Sequence, residues 1–244
     1  MHVWSNIVNM IKNGPVHMTL LDPEKESPET AAVKAKVTEK YGSSIIMLGG
    51  STGVSKEHLD KVAISIKRAT SLPIILFPGS ASSVTEVADA IYFMSLLNSN
   101  SVDYIIRHQM KAAPYIKKYN IETISMGYIV IEPGMTVGTV GKAELIRRED
   151  VDTAVRYAIA AEFFGMKVVY LEAGSGSPEP VPPDMIKTVK NNISIPVIVG
   201  GGIRSPDIAR KIIDAGANII VTGTLVEEDD YSALREIIDL TKGK

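Results

Sequence analysis

Three kinds of residue stand where this sequence could do chemistry. The first is an acid, Asp22, which ends the apolar run Met18-Thr19-Leu20-Leu21 and precedes Pro23. A hydroxyl-bearing segment, Gly49-Gly50-Ser51-Thr52-Gly53, ends the next apolar run. A carboxylate beside a hydroxyl is a hard oxygen site suited to Mg2+, which needs few protein ligands when phosphates supply the others. The alternative for Asp22 is a turn or helix cap before Pro23-Glu24. The second kind is a proton acceptor. Tyr170 and Glu172 are two apart in a β-rich run, so their side chains share a face. A carboxylate there can take a proton from a substrate hydroxyl, with the tyrosine orienting it. The alternative is a rim glutamate paired with a lysine or arginine. Glu132, before Pro133-Gly134, is a weaker candidate of the same geometry.

The third kind is glycine in loops. Gly200-Gly201-Gly202-Ile203-Arg204, Thr222-Gly223-Thr224 and Ala173-Gly174-Ser175-Gly176-Ser177 end three consecutive apolar runs. Glycine lets backbone N–H groups approach an anion closely. One such loop is ordinary turn chemistry; three in succession point to a phosphate-bearing ligand. Arg204 could assist, but an arginine just inside a helix start also reads as a solvated surface residue, and it is not assigned.

These residues need a scaffold that brings the ends of the runs together. A β-rich apolar run, a Gly/Pro/Ser turn and a helical stretch recur eight times, with runs at 16–22, 44–50, 73–79, 90–96, 121–131, 167–174, 195–202 and 218–224. The runs are nearly continuous in apolar residues, as strands buried on both faces of a parallel sheet should be. The helical stretches 27–42 and 205–217 both open with Ser-Pro, a cap residue followed by proline at the first helical position, and close near a glycine. Eight such units predict an α/β fold, a (β/α)8 TIM barrel forming a single domain over residues 1–244. A doubly wound open sheet is the rival, but no dinucleotide fingerprint follows the first strand. A leading helix over about 3–13 is expected to plug one end. Only about a dozen residues join strands three and four, so the third helix should be short or missing. In a barrel, the loops after strands seven and eight are the usual phosphate site. The expectation is an anion cradle and a divalent-ion perch on opposite sides of one barrel mouth, with the proton acceptor between them.

Composition excludes several classes. With 26 basic and 28 acidic residues the net charge is −2, unlike a general nucleic-acid binder. The chain has no cysteine, which removes disulfides, thiolate metal sites and cysteine nucleophiles. Histidines 2, 17, 58 and 108 are scattered without a zinc motif. No apolar run reaches the roughly 18 residues of a membrane span, and the start does not read as a signal peptide. The expected location is cytoplasmic. Five of the nine tyrosines (92, 104, 115, 119 and 128) fall between 92 and 128 with Met94, Met110 and Met126, around Ala112 and Ala113. Core packing is one reading. The other is an adaptable apolar groove for a long lipid chain, since methionine fills irregular space and each buried CH2 contributes about 0.8 kcal/mol.

The segments TLLDPEK (19–25), MLGGSTGV (47–54), YLEAGSGSPEPVP (170–182), IVGGGIRSP (198–206) and VTGTLVEED (221–229) together resemble the geranylgeranylglyceryl phosphate synthase family, archaeal ether-lipid enzymes related to bacterial heptaprenylglyceryl phosphate synthases. The resemblance covers essentially the whole chain. Leu20 stands where the bacterial members carry a lysine, so the chain looks like the archaeal branch and that lysine's phosphate contacts do not transfer. The resemblance implies a Mg2+-dependent prenyltransferase that joins the 3-hydroxyl of sn-glycerol 1-phosphate to C1 of geranylgeranyl diphosphate, releasing diphosphate. It implies that Asp22 and Ser51 hold Mg2+. It assigns glycerol phosphate to Tyr170, Leu171, Glu172, Ala173, Gly174, Ser175 and Gly176, with Gly201, Gly202, Gly223 and Thr224. It also implies a homo-oligomer, dimer or hexamer. Glu172 is the expected base, with Tyr170 beside it. Alternatives are a sugar-phosphate isomerase or aldolase, an FMN enzyme on the same phosphate site, or a non-catalytic carrier of phospholipid precursors. Schiff-base chemistry is disfavoured because Lys167 opens strand six at the wrong end and Lys25 falls in a loop.

Overall fold

Alternate residues of a strand face opposite sides, and here both sides are buried. Val16 and Met18 of β1 (Val16–Leu21), Ile45 and Met47 of β2 (Ile45–Leu48) and Ile75 of β3 (Ile74–Leu76) pack inside. So do Ala90 and Tyr92 of β4 (Ala90–Leu96) and Ile124, Met126 and Tyr128 of β5 (Glu122–Val130). Val168 and Tyr170 of β6 (Val168–Glu172), Ile198 of β7 (Val197–Gly200) and Ile219 and Val221 of β8 (Ile219–Thr222) complete that interior. The intervening residues, such as Leu21, Ile46, Ile74, Ile91, Ile129, Leu171, Val199 and Ile220, pack outward in a second core against the helices. The computed structural model describes residues 2–49 and 54–242. Among these, the eight strands pair in sequence order, all parallel, and β8 closes onto β1 with Thr19 beside Thr222. This is the expected (β/α)8 barrel.

The leading helix α1 (Val3–Asn13) forms and contributes Val3 and Ile7 to the inner core. It has no side-chain cap of its own. The carboxylate of Glu122, which opens β5, instead accepts the N–H groups of Val3 and Trp4 at 2.6 and 3.0 Å. The helix is thereby tied across the end of the barrel where the strands begin, away from the mouth where they end. The Ser-Pro signals hold. Ser27 caps α2 (Pro28–Tyr41) through Thr30 N–H, with Gly42 left-handed at its end, and Ser205 caps α8 (Pro206–Asp214) through Ile208 N–H. Helices α3 (Lys56–Ala69), α6 (Val151–Phe163), α7 (Pro183–Asn192) and α10 (Tyr231–Asp239) complete the outer ring. Between β3 and β4 the described residues 77–89 form no helix, as the short spacing predicts. After β4 comes one π turn (Asp103–Arg107), which runs into α4 (His108–Lys118). Side chains tie the turn to β4: Gln109 donates to the carbonyls of Met94 in β4 and Tyr104 in the turn, and Ser95 of β4 donates to the carbonyl of Ile105. Two further short helices, α5 (Met135–Val140) and α9 (Thr224–Glu227), lie after β5 and β8 at the mouth.

His17 is fully buried between β1 and the ring of helices. Its Nε2 lies 2.9 Å from Thr222 Oγ1 and its Nδ1 lies 3.0 Å from Ser43 Oγ. Burial holds it neutral, with its pKa lowered to about 3. It is a structural clasp between β8, β1 and the turn before β2.

Candidate active site

Glu172 ends β6 with its side chain turned into the barrel mouth, only 6% exposed. Its Oε1 accepts the Gly174 N–H at 2.6 Å and its Oε2 accepts the Tyr128 hydroxyl at 3.1 Å. Tyr170 is fully buried beside it, and its hydroxyl favours the ionised carboxylate. Burial pushes the carboxyl up from its ordinary value, against the opposing pull of Gly174 and the two tyrosines. Both tyrosines are themselves raised well above the usual phenol by burial and by the adjacent carboxylate, so their protons stay in place. Strand register builds this cluster. Tyr128 pairs with Tyr170, their rings meet edge to face at 5.2 Å, and Glu172 pairs with Gly200. Glycine is required at 200: an added Cβ would fall 2.0 Å from the Tyr170 hydroxyl oxygen. The arrangement is a desolvated carboxylate, held by the Gly174 N–H and the Tyr128 hydroxyl with Tyr170 beside it, able to receive a proton. Tyr128, which the sequence grouped with the apolar residues, is the site residue that reasoning missed; its spacing gave no sign of a partner 44 positions away.

A recess opens beside Glu172 at the ends of β6, β7 and β8. Tyr170, Glu172, Ser175, Gly201, Gly202, Gly223 and Thr224 line it. Leu171 and Ala173 do not, because their side chains are buried in the outer core. Gly174 has given its N–H to Glu172, and Gly176 is exposed beyond the recess. Gly201 and Gly202 take left-handed backbone at φ +83° and +70°, and an added Cβ on Gly202 would meet the Glu179 carbonyl at 2.7 Å. Arg204 also lines this recess, its guanidinium 3.1 Å from Glu228. The loops therefore present backbone and one arginine to an anion.

A larger, mainly apolar cavity of about 270 Å³ adjoins the recess. Leu20, Glu172 and Ser175 belong to the walls of both. Of the tyrosine-methionine group, Tyr92, Met94, Tyr104, Ala112 and Tyr128 line the cavity. Tyr115 and Tyr119 do not: they stack on one another at 4.5 Å away from it, while Met110 is exposed and Met126 lies in the inner core. Phe77, His108 and Gln109 line it as well, residues the sequence did not single out.

Asp22 lies half-buried at the mouth of this cavity. Its Oδ1 accepts the Glu24 N–H at 3.0 Å, the turn arrangement that the sequence offered as one of its two readings. Burial raises its pKa, chiefly by desolvation. The following loop is pinned by His58, whose Nε2 lies 2.8 and 3.0 Å from the carbonyls of Pro23 and Glu26. Lys25 lies in the loop after β1, as read from the sequence, and its side chain reaches the mouth and pairs with Glu227 of α9 at 2.8 Å. Lys167 does lie at the opposite end, donating to the Thr123 carbonyl near the start of β5. Ser51 lies outside the described residues. A desolvated carboxylate at the mouth fits a hard cation. Among the described residues no group of three or more His, Asp or Glu side chains could enclose one. Because β8 closes onto β1, Asp22 stands next to the glycine recess rather than across the mouth from it, which corrects the expected opposite-side layout. Glu132 does not line either space.

Comparison with known proteins agrees with this geometry. Residues 8–241 match the model of the PcrB family. The geranylgeranylglyceryl phosphate synthase of Picrophilus torridus is 51% identical, the match covering 98% of this chain and 99% of that one. The synthase of the same name from Thermoplasma acidophilum is 48% identical over 99% of this chain and 96% of its own. A crystal structure of (S)-3-O-geranylgeranylglyceryl phosphate synthase from Thermoplasma acidophilum, in complex with its substrate sn-glycerol-1-phosphate, superposes with a TM-score of 0.96 at 47% identity, covering 99% of both chains.

Proposed function

The chain belongs to the PcrB family, and from that premise we infer that it is a geranylgeranylglyceryl phosphate-forming prenyltransferase, making the ether between the 3-hydroxyl of sn-glycerol 1-phosphate and a geranylgeranyl chain. One observation carries the reading: Glu172 belongs to the wall shared by the glycine recess and the apolar cavity. A phosphate in the recess and a hydrocarbon chain in the cavity would meet at this carboxylate, which supplies orientation without further machinery.

The glycines at 201, 202 and 223 leave backbone N–H groups open to phosphate oxygens, with Thr224, Ser175 and Arg204 around them. Glu172 takes the proton from the 3-hydroxyl as its oxygen bonds to C1 of the prenyl chain and diphosphate leaves. Desolvation strengthens it as a base, and the Tyr128 hydroxyl fixes its aim, while both Tyr128 and Tyr170 keep their own protons. Asp22, with Ser51, would hold Mg2+, which when bound neutralises charge on the departing diphosphate. The cavity excludes water from the forming bond. Among the described residues no helix is long and apolar enough to cross a membrane. A cytoplasmic homo-oligomer, dimer or hexamer, completes the proposal.

The test is direct. Incubated with sn-glycerol 1-phosphate, geranylgeranyl diphosphate and Mg2+, the protein should release one diphosphate per ether formed. Binding of both substrates without diphosphate release would make it a carrier instead.

A further inference from the structure

Among the described residues, nine large hydrophobic side chains are exposed, and four of them flank the cavity. Val102, Ile106 and Met110 are 49%, 52% and 58% exposed and fall at four-residue intervals along the π turn and α4, so they form one stripe. Met135, 38% exposed, opens α5 on the neighbouring loop. The inward faces of the same two helices line the cavity, through Tyr104, His108 and Ala112 on one and Val137 and Val140 on the other. The apolar lining and the exposed apolar stripe are thus two faces of the same helix.

The charge on this helix runs against that of the chain. Between residues 102 and 119 lie Arg107, Lys111, Lys117 and Lys118 against the single acid Asp103, while the whole chain is at −2. All four basic residues are exposed. Exposed apolar residues interleaved with basic ones form the pattern of a helix that lies in the interface of an anionic bilayer. A second copy of the chain fits less well, since a two-fold contact would set this basic face against itself. We propose that the helix 102–118 docks the barrel mouth on an anionic membrane surface, with the cavity facing the lipid. The proposal rests on reading the cavity as the prenyl-chain site. A chain of about twenty carbons gains about 0.8 kcal/mol per buried CH2 and so concentrates in bilayers. An enzyme docked there would collect it without desorption into water.

The experiment is vesicle flotation with no substrate present. Wild type should float with vesicles of equal phosphatidylglycerol and phosphatidylcholine, and not with phosphatidylcholine alone. Added salt should weaken the binding. Two independent double variants, Ile106→Glu with Met110→Glu and Arg107→Glu with Lys111→Glu, should each lower the bound fraction about fivefold or more. None of these side chains lines the cavity, so turnover of detergent-dispersed substrates should stay within about twofold of wild type. Wild type that does not float, or variants that float as wild type does, would overturn the docking. So would a fall in molar mass by light scattering in the Ile106→Glu, Met110→Glu variant, which would assign the stripe to subunit contact. Absence of turnover in wild type would sink the transferase reading while leaving the flotation result standing.

Discussion

Tyr128→Phe isolates the hydrogen bond that sets the strength of the proposed base. The substitution removes one oxygen and keeps the ring, which packs edge to face on Phe77 at 5.4 Å and Tyr170 at 5.2 Å. What is lost is the 3.1 Å bond to Glu172 Oε2. A hydrogen bond to a charged group contributes about 1.5–3 kcal/mol, and 1.36 kcal/mol corresponds to one pH unit. The bond favours the ionised carboxylate, whose pKa burial already raises. Its loss raises that pKa further. A general base works only when deprotonated, so activity falls as pH drops through this value. The acid limb of kcat against pH should therefore move up by roughly one to two pH units. On the alkaline plateau the variant should keep kcat within about threefold of wild type, because the carboxylate is then ionised in both. The assay is diphosphate release at saturating substrates across the pH range, with a thermal melt to verify folding. An acid limb that stays in place while the protein remains folded would remove Glu172, or its bond from Tyr128, from the rate-controlling ionisation.

Glu172→Gln should cut kcat by about 10²-fold or more, with glycerol phosphate binding retained by calorimetry; full activity would take Glu172 out of the mechanism. Asp22→Asn should raise the Mg2+ concentration for half-maximal rate sharply, by more than the roughly 10–100-fold that loss of a mere supporting hydrogen bond costs. A Mg2+ titration that overlays wild type would place the ion elsewhere. Gly202→Ala forces a Cβ to 2.7 Å from the Glu179 carbonyl at φ +70°. It should cost about 1–3 kcal/mol, several degrees of Tm, and should raise KM for glycerol phosphate more than KM for the prenyl diphosphate.

The strands were legible because each must bury both faces, which leaves an unbroken apolar run such as Ile45–Leu48 in the sequence. The two Ser-Pro helix starts were legible for a local reason, since a cap and its N–H lie three residues apart. Tyr170 and Glu172 could be put on one face because a strand alternates strictly, and the glycine loops could be put together because every parallel strand ends at the same mouth. The groups that complete the site were not legible. Tyr128 meets Glu172 across 44 positions and Lys25 meets Glu227 across 202, through register and closure that no local pattern encodes. Along the π turn and α4 the group divided between cavity and surface, Tyr104 and Ala112 facing in and Met110 out, because helix rotation, fixed by packing, decides which side chains face inward. Closure of β8 onto β1 likewise set Asp22 on the side of the glycine recess rather than opposite it. Sequence alone specified which residue types end each strand; how those ends adjoin depends on the circle, and a circle is a property of all eight strands at once.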